Sequence, residues 1–199
     1  MTEAEAEQQL FLRMHSGDEQ AFVSLYRSRQ AAIFRFALHM TRSETAAEDV
    51  TQDVFLAVMR ESGYDPARGT VAAYLFGIAR KLVLRQMERG RSDALLESEL
   101  AEGSMPEPAS PDNLLAELTH REGLEALARA VAALPRRYRE VVVLCDLEEL
   151  DYADAAAALR CPIGTVRSRL HRARELLAVK LNQERQRPSQ AMKPARCTT

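Results

Sequence analysis

The sequence predicts an all-α protein, two small helical domains joined by an acidic flexible linker, with a helix-turn-helix in the C-terminal one. Three observations carry that expectation. Apolar residues recur at steps of three and four through both halves, the period of amphipathic helices. No segment alternates apolar and polar residues as a half-buried strand does, and no internal repeat is visible. Between the two periodic blocks lies EGSMPEPASPD, rich in Pro, Ser and acid and without an apolar stripe. The expected division is a first domain over 1–91, a linker over 92–113, a second domain over 114–182 and a basic tail over 183–199 that is expected to be disordered.

Composition narrows the class. The chain has 199 residues, 28% charged and 46% hydrophobic, as soluble globular proteins do. No apolar run approaches the roughly 20 residues that cross a bilayer. The first residues, MTEAEAEQQL, are acidic and lack the basic-then-apolar layout of a signal peptide. A cytoplasmic location without membrane insertion is expected. Cys145, Cys161 and Cys197 are odd in number and widely spaced, which fits reduced thiols better than a disulfide framework or zinc site. His15, His39, His120 and His171 are scattered and have no ligand partner at metal-binding spacing, so no metal or cofactor is expected.

The net charge of −2 hides an uneven distribution. From Arg160 onward, ten Lys and Arg residues face only Glu175 and Glu184. Between Ser92 and Glu125 the balance reverses, with nine acids against Arg121. A basic end suits phosphate contacts that weaken with salt. An acidic middle is repelled by DNA or imitates it in a basic channel.

Taken in order, Phe22, Leu25, Tyr26, Ile33, Phe36, Ala37 and Met40 mark the first amphipathic stretch. A polar break follows at Thr41 to Thr45. Glu44 to Arg60 is a helix with Val50, Val54, Phe55 and Val58 on one side and Asp49, Gln52, Asp53 and Leu56 sharing another neighbourhood. SGYDPARGT, with Gly, Asp-Pro and Gly, is a loop. The next helix, from about Val71 to Gly90, starts apolar and ends basic with Arg80, Lys81, Arg85, Arg89 and Arg91. After the linker a helix begins near Leu114, breaks at Leu134-Pro135, and gives way to another over Arg137 to Leu147.

Tyr152 to Leu181 is the most specific segment. Ala156 is small enough for the close approach of two helices, and Pro162 and Gly164 punctuate a turn. Arg160 holds the turn position where glycine is usual; either the chain accepts the roughly 1 kcal/mol strain of a left-handed non-glycine residue or the turn differs slightly. Val166, Leu170, Ala173 and Leu177 form one stripe, and Arg167, Ser168, His171, Arg172 and Arg174 fall largely off it. A helix with an arginine face fits the major groove, where guanidinium groups pair with guanine edges and phosphates.

On these residues the chain resembles a known family. GTVRSRLHRAR is similar to the recognition helix of extracytoplasmic-function (ECF) sigma factors, the promoter-specificity subunits of bacterial RNA polymerase. AEDVTQDVFLAVMR resembles the helix that grips the clamp helices of the polymerase largest subunit. TVAAYLFGIARKLVLRQMERGR looks like the helix that reads and melts the −10 element, with Tyr74 where the family usually has tryptophan and Lys81 where asparagine is common. The three motifs occur in family order, and the resemblance spans about Asp18 to Leu181.

The resemblance implies Thr165, Arg167, Ser168, His171, Arg172 and Arg174 as −35 contacts, Arg174 as a phosphate contact. It implies Tyr64, Arg80, Lys81, Arg85 and Arg89 for −10 binding and melting, with the loop 61–69 holding an extruded base. It implies Asp49, Gln52, Asp53, Phe55 and Leu56 for core polymerase. Core polymerase would part the two domains to the promoter spacing, and many members are restrained by an anti-sigma partner. On the usual burial of aromatics Tyr74 fits the core better than a DNA contact, and the alternative for His171 is a solvent-exposed histidine with no role.

Two other classes compete. A stand-alone helix-turn-helix regulator would dimerise and bind a palindrome without polymerase. An enzyme with a DNA-binding appendage would need a catalytic set, and no P-loop, HExxH or GxSxG is present.

Overall fold

The computed structural model describes residues 2–60, 63–96 and 114–185, and every regular element among them is helical. Helices α1 (Glu3–His15), α2 (Glu19–Thr41), α3 (Glu44–Arg60) and α4 (Val71–Leu96) form the first region. Helices α5 (Leu114–Ala132), α6 (Arg136–Val142), α7 (Tyr152–Leu159) and α8 (Ile163–Arg185) form the second. The α4 backbone runs five residues past the expected domain boundary at 91. Residues 97–113 of the expected linker, and the tail from 186, lie outside the described residues.

Local chemistry sets the helix ends. Thr2 and Glu5 form a capping box at α1, satisfying two otherwise orphaned amides. The Asp18 carboxylate accepts from the Ala21 amide at the start of α2, and Asp151 accepts from Asp154 at the start of α7. The α2–α3 break turns on Arg42 in the left-handed region, φ 61°, with its amide bonded to the Leu38 carbonyl at 2.8 Å.

The first region packs around Phe11, Leu25, Ile33, Phe36, Leu75 and Phe76, and all are essentially excluded from solvent. Phe36 meets Phe76 edge-on at 5.6 Å, an arrangement aromatic quadrupoles favour. The second region packs around Val131, Leu134, Val141, Leu144, Val166, Leu170 and Ala173. The predicted stripe of α8 is buried throughout, with Leu177 at its edge.

The two regions share one continuous apolar core. They meet where the start of α4 lies on α7. A side chain added at Gly69 would come within 3.2 Å of the Ala157 methyl, and one at Gly77 within 3.8 Å of the Ala158 carbonyl oxygen. Small residues on both helices therefore permit the close approach.

Two expectations need correction. The helix predicted over Arg137 to Leu147 is regular α only to Val142. Val143–Leu147 winds as a wider π turn, with the Glu148 amide bonded back to the Val143 carbonyl at 2.9 Å. The turn ends on Glu149 at φ 56°, and Leu150 is returned to the core. Gly164 is not part of the α7–α8 turn but sits in the first turn of α8, with open space where a side chain would be. Arg160 makes the turn, at φ 53° and ψ 49°, and the Pro162 carbonyl accepts from the amides of Thr165 and Val166.

Candidate nucleic-acid interface

Because one face of α8 is consumed by the core, the residues between its buried positions point outward. Arg167, Ser168, His171 and Arg172 are all exposed and share one face, spaced as i, i+1, i+4 and i+5. Thr165 is half-buried at the start of this face, and its carbonyl accepts from the Ser168 hydroxyl at 3.1 Å. The Arg167 guanidinium lies 5.8 Å from the Tyr152 ring centroid, a cation–π contact that limits its freedom. Glu175 serves two neighbours: Arg172 donates to it at 2.7 Å and His171 Nε2 lies 3.3 Å away. That hydrogen bond with Arg172 holds the Glu175 carboxyl below its ordinary range.

Arg174 departs from the expectation of a free phosphate contact. Its Nε and Nη2 donate to the two carboxylate oxygens of Asp146 at 3.1 and 2.6 Å, a fork-to-fork pair. This pair ties α8 to the π turn, and DNA would have to displace Asp146 to recruit Arg174.

On α4, Lys81, Arg85 and Arg89 are exposed. Arg80 is not free. Its Nε lies 3.2 Å from Oε1 of Glu140 on α6, which is 2% exposed. Tyr64 is also committed: it is half-buried, with its ring 4.9 Å from Phe11 and 5.7 Å from Tyr74. Burial pushes its hydroxyl above the ordinary phenol range. The partner half of that cluster, Tyr74, also packs edge-on against Phe11 at 5.9 Å, matching the core alternative.

On α3, Asp49, Gln52, Asp53 and Leu56 are exposed together. Phe55 is not on that surface. It is 3% exposed and packs edge-on against Tyr26 at 4.8 Å and Phe22 at 6.4 Å, so it supports the face from beneath. Met59, 55% exposed one turn beyond, extends the apolar part of the patch begun by Leu56. Sequence reading missed Met59, although its i+3 spacing from Leu56 was available.

Sequence reading also missed the carboxylates that hold arginines. Glu140 and Arg80 are 60 residues apart, and Asp146 and Arg174 are 28 apart. Nothing local signals such pairs. Among the described residues, no group of His, Cys, Asp and Glu could hold a metal ion, and no helix is long and apolar enough to cross a membrane.

Both helical regions are similar to known proteins. Residues 25–92 match the model for sigma-70 region 2, and residues 124–177 match that for sigma-70 region 4. The chain is 36% identical over 167 residues to the ECF RNA polymerase sigma factor SigE of Mycolicibacterium smegmatis, covering 81% of this chain and 63% of that relative. It is 31% identical over 176 residues to the ECF RNA polymerase sigma factor SigC of Mycobacterium tuberculosis, covering 87% of this chain and 90% of SigC. Among solved structures it resembles CnrH in complex with the cytosolic domain of CnrY, with TM-score 0.67 and 26% identity, covering 90% of this chain and 99% of that one. It also resembles the sigma factor RpoE bound to the anti-sigma factor NepR from Bartonella quintana, with TM-score 0.63 and 28% identity, covering 81% of this chain and 96% of that one.

Proposed function

The chain belongs to the ECF family of RNA polymerase sigma factors, and from that premise we propose that it binds core RNA polymerase and directs initiation at promoters with −35 and −10 elements. The observation that carries the assignment of parts is the exposed face of α8, with Arg167, Ser168, His171 and Arg172 on a helix whose opposite face is locked in the core. That helix enters the major groove at the −35 element, where arginine pairs with guanine edges and with phosphates.

The basic end of α4 holds the backbone of the −10 strand through Lys81, Arg85 and Arg89 as its bases unstack. The chemistry of RNA synthesis belongs to polymerase, and this chain acts as a regulatory subunit. The patch of Asp49, Gln52, Asp53 and Leu56 docks on the polymerase clamp helices, where its carboxylates meet basic groups. Tethering two modest DNA sites on one polymerase raises their joint affinity through effective concentration. The likeness to RpoE, solved with the anti-sigma factor NepR, and to CnrH, solved with the cytosolic domain of CnrY, supports an anti-sigma partner here as well. A factor working with polymerase on chromosomal promoters acts in the cytoplasm.

The test is in vitro transcription from a genomic promoter library, using purified core polymerase with and without this chain. Discrete new start sites are expected, abolished by Asp49→Ala/Asp53→Ala and by Arg167→Ala/Arg172→Ala. A chain that adds no start site, yet shifts a palindromic duplex by itself, is a stand-alone regulator instead.

A further inference from the structure

Three outward arginines of α8 are held by three different groups. Arg172 pairs with Glu175 of its own helix at 2.7 Å. Arg174 is forked onto Asp146 of the π turn at 3.1 and 2.6 Å. Among the described residues Arg167 has no carboxylate partner. The group that faces it is the ring of Tyr152, the first residue of α7, whose centroid lies 5.8 Å from the guanidinium carbon.

The difference has a chemical consequence. A carboxylate accepts the N–H donors of a guanidinium, and DNA has to displace it before those donors reach a base or a phosphate. An aromatic ring attracts the cation through its quadrupole and offers no lone pair to its N–H fork. Arg167 is therefore restrained while its fork stays open, the state suited to bidentate pairing with guanine O6 and N7. An arginine side chain has large rotamer freedom, and a restraint present before binding reduces the entropy lost when the pair forms.

Tyr152 is itself placed at both ends. The Asp151 carboxylate caps α7 by accepting from the Asp154 amide at 2.7 Å, and the Asp151 carbonyl accepts from Ala155 at 2.9 Å. These bonds set the backbone from which the ring projects. At the far end of the ring the hydroxyl lies beside Arg174. Asp146 holds that guanidinium above its ordinary pKa, and the Tyr152 hydroxyl adds to the rise. Arg167 and Arg174 are seven residues apart, two turns of helix, so they leave α8 on one side about 10 Å apart along its axis. One tyrosine from α7 spans the gap between them.

Packing does not account for the ring. The buried side of α7 is Ala155, Ala156, Ala158 and Leu159, whereas Tyr152 is 38% exposed. A large ring left at the surface beside the arginine face of α8 is placed by the arginines it touches.

We propose that Tyr152 is a positioning residue for promoter reading, its ring holding Arg167 in the attitude that reads a −35 base pair. The inference rests on the −35 function proposed above and adds to it a residue of α7 that acts through Arg167 without touching a base.

The experiment uses holoenzyme made from core RNA polymerase and the full chain. Its probe is a promoter from the genomic library with the −35 base pairs randomised. The bound sequences are counted, and the thermal midpoint of each free variant is measured alongside. Arg167→Ala should abolish the preference at one −35 position and so identify the base pair that Arg167 reads. Tyr152→Leu should weaken the preference at that same position by roughly 2- to 5-fold, the factor an exposed cation–π contact carries, and leave the other positions unchanged. Tyr152→Phe, which keeps the ring, should retain the preference. In an Arg167→Ala background, Tyr152→Leu should change nothing further at that position. Tyr152→Gln repeats the loss of the ring if Tyr152→Leu lowers the midpoint. Unchanged preference in the ring-less variants, uniform weakening at every position, or equal loss in Tyr152→Phe would overturn the positioning role alone. A parent holoenzyme without any −35 preference, or one whose preference survives Arg167→Ala, would overturn the −35 function itself and the inference with it.

Discussion

Arg174 and Arg172 lie two residues apart on α8, yet their surroundings give them different work. Arg172 projects from the exposed face with Glu175, one turn on, as its partner. Arg174 lies to the side and is gripped by both oxygens of Asp146. An exposed pair of this kind contributes about 0–1 kcal/mol to stability, so its importance lies in direction more than in strength. Asp146→Ala should leave the thermal midpoint nearly unchanged and free one guanidinium for phosphate. Binding of this variant to a random-sequence 20-base-pair duplex should tighten, and the slope of log affinity against log salt should steepen by about 0.9. An unchanged slope with weaker binding would show that Arg174 acts only by anchoring α8. Only half of this was legible in the sequence. The outward position of the α8 arginines followed from the period of Val166, Leu170 and Ala173, whereas the partner of Arg174 depended on a turn 28 residues earlier.

Helix existence was legible for most elements at the next scale, because most helices hide a stripe that their own sequence displays; α1, which buries only Glu7 and Phe11, went unread. Boundaries were less so. The π turn over Val143–Leu147 is invisible to a period of 3.6, since its apolar residues Val143 and Leu144 continue the pattern of α6. The α7–α8 turn was legible in outline, with Arg160 identified as the left-handed residue, but Gly164 was assigned to a turn it does not make. Arg160→Gly tests the backbone argument directly. It removes the left-handed strain of an exposed residue, and should raise stability by roughly 1 kcal/mol in thermal or urea melts. A loss of stability would mean that the arginine side chain contributes more than its backbone costs.

At the scale of the whole molecule, sequence periodicity identified two helical regions but could not show how they sit together. Their seam is built from glycine and alanine, which carry no periodic signal, and from ion pairs spanning 60 to 113 residues. Tyr64, Arg80 and Phe55, plausible contacts on sequence, are occupied within the protein, and only Arg80 is occupied by the other region. Tyr64 and Phe55 sit in aromatic clusters. Arg80 faces Glu140 of α6 across the contact between the regions. Two DNA-reading surfaces on one chain, used together only on polymerase, is the central claim. Footprinting of a promoter complex with permanganate and a nuclease tests it most directly. With core polymerase and this chain, the −35 duplex should be protected and thymines near −10 should become reactive, and Arg167→Ala/Arg172→Ala should abolish both signals. Protection of a palindrome by the chain alone, with no reactive thymines when polymerase is added, would contradict it.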